Sequence, residues 1–153
     1  MTISLTFWGT RGSIPVPGPT TSRYGGNTPC VTASTDDGRI VVLDAGTGLR
    51  VLGCELVRLH PAGTLSIDLL LSHTHWDHIQ GLPFFAPLFQ RGNEVRIFGA
   101  RQNGTPLETI LHRQMDPTVF PVPLAALNAA LTVTEITEAD FTIGPFGIRT
   151  VTL

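Results

Sequence analysis

Apolar and polar residues alternate from Thr2 to Trp8, with Ile3, Leu5 and Phe7 on one side of an extended chain, and this period of two predicts a first strand. Residues 9 to 27 show no such period. They are dense in Gly, Pro, Ser and Thr and read as a long loop, a type of connection that is often functional inside a compact domain. Strand patterns return at Cys30 to Ser34 and at Arg39 to Leu43. Asp36-Asp37-Gly38 between them predicts a hairpin, because Gly supplies the positive φ that a tight turn needs. Leu49 to Leu59 has helical spacing and is ended by His60-Pro61-Ala62-Gly63, while Ser66 to Ser72 is an apolar run of strand length. A short helix is expected from about Asp77. Glu94 to Phe98 alternates again, and Pro106 to Met115 reads as a helix with Thr105 as its cap. Asp116 to Pro123, with three prolines, is a connector; Leu124 to Ala130 reads as a short helix and Leu131 to Thr137 as a strand. Phe141 to Leu153 reads as two strands around Gly144-Pro145. Strands first, then alternating strands and helices, predict one α/β domain over residues 1–153 with a mixed sheet. The alternation Phe146, Ile148, Thr150, Thr152 is still running at Leu153, so the chain reads as stopping in mid-fold.

Composition narrows the class. The chain has 153 residues, 42% hydrophobic and 14% charged, which suits a globular domain with a real core. A formal charge of −2 leaves no overall basic field for nucleic acid. All ten positive side chains are Arg, so any cationic contact to phosphate would come from a guanidinium fork. Two cysteines, Cys30 and Cys54, are too few for a disulfide framework or a thiolate zinc cluster and fit a reducing compartment. The N-terminus lacks a basic leader region, and no apolar run approaches the ~18 residues of a membrane span. A cytoplasmic location without membrane contact is therefore expected.

The chemistry concentrates in "DLLLSHTHWDHIQG", Asp68 to Gly81, where three of the five histidines and an aspartate fall within six residues. In extended chain His73 and His75 project to one side and can meet one ion. Asp77 and His78 diverge and, if the chain turns into a helix there, can reach a second ion about 3.5–4 Å away. Imidazole and carboxylate donors favour zinc, with manganese or iron as alternatives. Such a site lowers the pKa of bound water from roughly 15.7 toward about 7, which makes hydrolysis the natural reaction. Trp76 and Ile79 are expected to pack and pin the segment.

At His73-Thr74-His75-Trp76-Asp77-His78 the sequence resembles the metallo-β-lactamase-fold hydrolases, whose H-x-H-x-D-H pattern it matches at all four ligand positions. "FWGTRGSIPVPGP" with "RYGGNT", "VVLDAGTGLR" and "GLPFFAPLF" also resemble that group, in the branch of the tRNA-3′-processing and phosphoribosyl cyclic phosphodiesterases. The resemblance implies an αββα sandwich, here truncated to its N-terminal half, with a metal pair at one edge of the sheets. It implies that His73 and His75 serve one zinc and Asp77 and His78 the other, with Asp77 also counted as catalytic. It further implies a hydroxide between the metals as nucleophile, acting on a small phosphodiester substrate or an RNA end. Family members add a later His, a bridging Asp and a final His, and neither His60 nor His112 lies where these belong. Weak or single-metal binding is therefore expected of these residues alone.

Asp44 in "LDAGTG" could orient a ligating imidazole or serve only as a strand-end turn residue. The same glycines lack the third Gly of a dinucleotide loop. "GTRGS" offers Arg11 and Ser13 to a substrate phosphate, or else is a plain Gly turn with a solvated Arg. Arg23 is a weaker candidate of the same kind. "PFFAPLF" could line a substrate pocket or offer a partner surface, though core packing accounts for it better. His60 and His112 read as ordinary surface histidines. Two rival functions stay open: a thioester or lactam hydrolase of the same fold, and a non-catalytic half-domain. An uncovered sheet face would also favour homo-oligomers.

Overall fold

Strands β1 (Ile3–Gly9), β2 (Cys30–Thr35) and β3 (Ile40–Leu43) run antiparallel in the computed structural model of the protein, which describes residues 2–62 and 64–151. Strands β4 (Ser66–Leu70), β5 (Glu94–Gly99) and β6 (Ala130–Glu135) extend the sheet in parallel, in the order β1-β2-β3-β4-β5-β6. A separate antiparallel hairpin is formed by β7 (Ala139–Ile143) and β8 (Phe146–Thr150). The expected α/β class with a mixed sheet is that of the structure. Gly63, at the expected helix end, and Thr152 and Leu153, in the last alternation, lie outside the described residues.

Pleating assigns the residues to two faces. Val42, Leu69, Ile97 and Val133 stand abreast across β3 to β6. Helices α1 (Gly48–Leu59) and α3 (Leu107–Gln114) cover that face, α1 through Leu49, Leu52 and Leu56 and α3 through Leu107 and Leu111. Each fully buried Leu contributes about 1.5–3 kcal/mol. Gly53, in mid-helix, lets α1 press onto the Phe85 segment, since a Cβ there would lie 2.8 Å from the Phe85 ring. On the opposite face Val41 and Leu70 meet Ile143 and Phe146 of the hairpin in a second, smaller core. Toward β1 this face is open, with Ile3, Leu5 and Phe7 exposed. No described helix is long and apolar enough to cross a membrane.

Two local expectations are corrected. Thr105 does not cap α3: it pairs with Gln102 in an isolated bridge, and Pro106 holds the cap position without a side-chain bond. Instead Glu135, at the end of β6, accepts the Leu107 N–H at 3.0 Å, so the helix start is satisfied by an anion from a distant strand. Leu124 to Ala130 is not a helix but a 3-10 turn over Leu124–Ala126. The N–H groups of Asn128 and Ala129 both donate to the Leu88 carbonyl at 3.1 Å, which draws the chain out toward β6.

Candidate metal centre

Beyond the C-terminal end of β4 the chain runs extended through the histidine segment and turns into α2 (Trp76–Ile79) with His75 as N-cap. That path gathers all four expected ligands into one patch. The His73 ring centroid lies 4.5 Å from that of His75 and 4.0 Å from that of His78, and His78 Nε2 is 3.6 Å from Asp77 Oδ2. His78 thus stands against both His73 and Asp77. Burial, then the neighbouring His78 and His75, push His73 below the ordinary histidine range.

Asp44 is the hub of the patch. Its Oδ2 lies 2.9 Å from His78 Nδ1, and its Oδ1 accepts the Ser72 N–H at 2.8 Å and the Ser72 hydroxyl at 2.9 Å. The Ser72 hydroxyl is also 3.1 Å from His73 Nδ1. Asp44 sits at φ 62°, a left-handed conformation that Asp tolerates better than most residues, and this turns its carboxylate back toward Ser72 and His78. Ser72 had no role in the sequence reading; its only signal was its place between the apolar run and the first histidine.

The early loop closes over the same patch. The Ser13 N–H donates to Asp77 Oδ2 at 2.8 Å, across 64 residues of sequence, with Ser13 itself at φ 72°. This bond, and after it the charge of His78, hold the Asp77 carboxyl below the usual carboxylate range. The Ser13 amide is therefore engaged, which leaves its hydroxyl and the neighbouring Arg11 for any substrate. Arg11 is exposed and, among the described residues, has no carboxylate partner.

Backbone contacts pin the segment, not Trp76, which is 60% exposed, contrary to its expected packing role; Ile79 is buried as expected. The Ala45 N–H donates to the His78 carbonyl and the Gly81 N–H to the Ala45 carbonyl, each at 2.8 Å, while the Gln114 amide donates to the Ile79 carbonyl at 2.7 Å. Such approach requires glycine on both sides. A Cβ on Gly46 would lie 2.4 Å from the Asp77 carbonyl oxygen, and one on Gly81 would lie 2.0 Å from that of Gly46. "PFFAPLF" is mainly core: Phe85 and Leu88 are fully buried, whereas Phe84 is exposed and meets Phe120 edge-on. His60 follows α1 and His112 lies 3.9 Å from Glu108, so neither joins the cluster. A cavity of about 610 Å³, lined by Arg39, His60, Asp68 and Arg96 among others, opens at the other end of β4, away from the donor cluster.

The donors suit a metal ion in kind. Three imidazoles and a carboxylate are adjacent, one imidazole is held through Nδ1 by an acid, and His73 is biased toward the neutral, ligating form. In placement they stop short: among the described residues no three His, Cys, Asp or Glu side chains are arranged to hold an ion. A family model described as the beta-lactamase superfamily domain matches residues 39–153, well over half of the chain. No curated protein matches it. The chain belongs to the beta-lactamase superfamily, and the matched stretch contains Asp44 and the whole histidine segment, while the loop bearing Arg11 and Ser13 precedes it.

Proposed function

We propose that this member of the beta-lactamase superfamily, a group generally of metal-dependent hydrolases, is a phosphodiesterase. The observation that carries the reading is the bond from the Ser13 N–H to Asp77, which brings to the mouth of the donor cluster a loop whose Arg11 has no carboxylate partner among the described residues. A guanidinium suits the negative charge on phosphoryl oxygens far better than the neutral carbonyl of a thioester or lactam.

His73, His75, Asp77 and His78 would hold the metal, with side-chain rotation and further donors completing the set. The chemistry that one or two divalent ions supply there, zinc first by donor type, is a water ionised near neutral pH and stabilisation of charge on phosphoryl oxygens. Asp44 fixes His78 through Nδ1 and so leaves Nε2 as its free donor. The Ser13 amide fixes one oxygen of Asp77 and favours its ionised form. Arg11 would take a non-bridging phosphoryl oxygen and orient the substrate for in-line attack.

The test is a substrate panel on the complete natural chain, loaded with zinc or manganese: bis(p-nitrophenyl) phosphate, a chromogenic cephalosporin and a thioester. Metal-dependent cleavage of the phosphodiester, lowered about tenfold or more by R11Q, is the expected result. Cleavage confined to the lactam or thioester, or no cleavage at all, overturns the reading.

A further inference from the structure

The early loop frames an open basin of about 400 Å³, a volume able to take a small ligand. Thr10, Arg11 and Gly12 line one side and Thr21, Arg23 and Tyr24 the other. Tyr24 is 72% exposed, and the Arg23 guanidinium lies 5.0 Å from the centre of its ring. Among the described residues neither Arg11 nor Arg23 has a carboxylate partner. Two arginines and a large exposed ring thus share one loop, and that loop is tied together by its backbone. Thr10 and Arg11 both donate to the Asn27 carbonyl, Val16 donates to Gly26, the Thr21 hydroxyl holds the Val16 carbonyl at 2.7 Å, and the Gly25 N–H donates to Thr21 at 2.7 Å. A Cβ on Gly26 would lie 2.2 Å from the Val16 carbonyl oxygen, so the two limbs of the loop are in backbone contact. The platform is thus set before any ligand arrives, which lowers the entropic cost of binding.

We propose that this basin is the nucleoside-binding half of the substrate site. The ligand it fits is a nucleoside phosphate whose base stacks on Tyr24 while its phosphate lies between Arg11 and the metal cluster. The loop ties the basin to that cluster, because Gly12 lines the basin and the next residue, Ser13, donates its N–H to Asp77. Aromatic stacking with a flanking arginine recognises any base, and the Arg11 guanidinium recognises the phosphate. This assignment rests on the phosphodiesterase reading, which by itself names no base.

Calorimetric titration of the complete chain with 3′-AMP, ribose 5-phosphate and inorganic phosphate tests it, since none of these is a diester that could be turned over. The expected result is that 3′-AMP binds about tenfold or more tightly than ribose 5-phosphate, that Y24A removes this preference while Y24F keeps it, and that R11Q weakens 3′-AMP and phosphate alike. A short RNA with a 3′-phosphate separates the sources. Tighter binding than 3′-AMP supports the basin with an RNA end as its ligand, and equal binding supports it with a free nucleotide. Equal affinity for 3′-AMP and ribose 5-phosphate, or no effect of Y24A, overturns the proposal. Cleavage of bis(p-nitrophenyl) phosphate is read in parallel: its failure would sink the phosphodiesterase reading, while the binding data alone decide the fate of the basin.

Discussion

Replacing Gly81 by Ala tests whether the histidine segment is positioned by backbone contact. Gly81 has φ −81° and ψ −17°, an ordinary conformation for alanine, so any penalty is steric and not torsional. The added Cβ would lie 2.0 Å from the Gly46 carbonyl oxygen, 2.7 Å from the Gly46 carbonyl carbon and 3.0 Å from the Ala45 carbonyl oxygen. These are main-chain atoms with no rotamer to yield, so the two loops must separate by about an ångström or more, a distance that the packing of an interior does not absorb freely. Separation weakens the 2.8 Å bonds from Gly81 to Ala45 and from Ala45 to His78. Two backbone hydrogen bonds at about 1 kcal/mol each, with an overpacking cost of about 1–3 kcal/mol, give a loss of about 3–5 kcal/mol. At about 2–4 °C per kcal/mol for a chain of this size, thermal unfolding followed by circular dichroism should move down by about 6–20 °C. Gly147→Ala is the control, because a Cβ there meets nothing within 4 Å; it should leave the midpoint within about 2 °C. Indistinguishable midpoints for the two variants would refute the close-contact argument.

Other consequences are as direct. The Cys30 thiol is pushed from an ordinary 9.0 up to about 12 by burial and by the charge of Asp44, whereas Cys54 is exposed. Native protein treated with iodoacetamide at pH 8 should be labelled at Cys54 and spared at Cys30, and equal labelling by mass spectrometry would count against the fold. Because the folded pKa of Cys30 is the raised one, its contribution to stability is whole below the unfolded pKa near 9 and is lost as pH climbs toward 12, so denaturant midpoints should fall across that window. For Asp44→Asn, zinc affinity in a competition titration should drop about 10- to 100-fold, and an unchanged affinity would remove Asp44 from the centre.

What the sequence made legible follows from the range of each interaction. Period-two and helical patterns are local, so β1 to β5, α1 and the hairpin at Gly38 could be placed from residue order alone. H-x-H-x-D-H was equally legible, since its four donors lie within six residues and need no knowledge of topology. The cap of α3 was not, because its acceptor, Glu135, is 28 residues away on β6 and the nearby Thr105 offered a plausible substitute. Trp76 misled for a related reason: an aromatic between ligands suggests packing, but the space behind the segment is filled by the backbone of Ala45 and Gly46. Ser13 and Asp77 meet across a separation no pattern encodes.

Asp44 shows why turn and site readings of one residue need not compete. A non-glycine residue in the left-handed region carries strain of about 1 kcal/mol, and such strain persists only where the surroundings hold it. Here the surroundings are themselves parts of the candidate site, since Asp44 binds the Ser72 N–H, the Ser72 hydroxyl and His78 Nδ1. Hydrogen bonds to a charged group are worth about 1.5–3 kcal/mol each when buried and less at this partly exposed position, which still exceeds the torsional cost. The left-handed turn is what aims the carboxylate at both partners, and the bonds to both partners are what keep the turn left-handed. Gly46 and Gly48 beside it then serve packing, Gly46 against Asp77 and Gly48 against the Trp8 backbone, and not a phosphate loop. "LDAGTG" is therefore one device, in which a strained strand end orients His78 while its glycines let the histidine segment and β1 approach closely enough to be oriented.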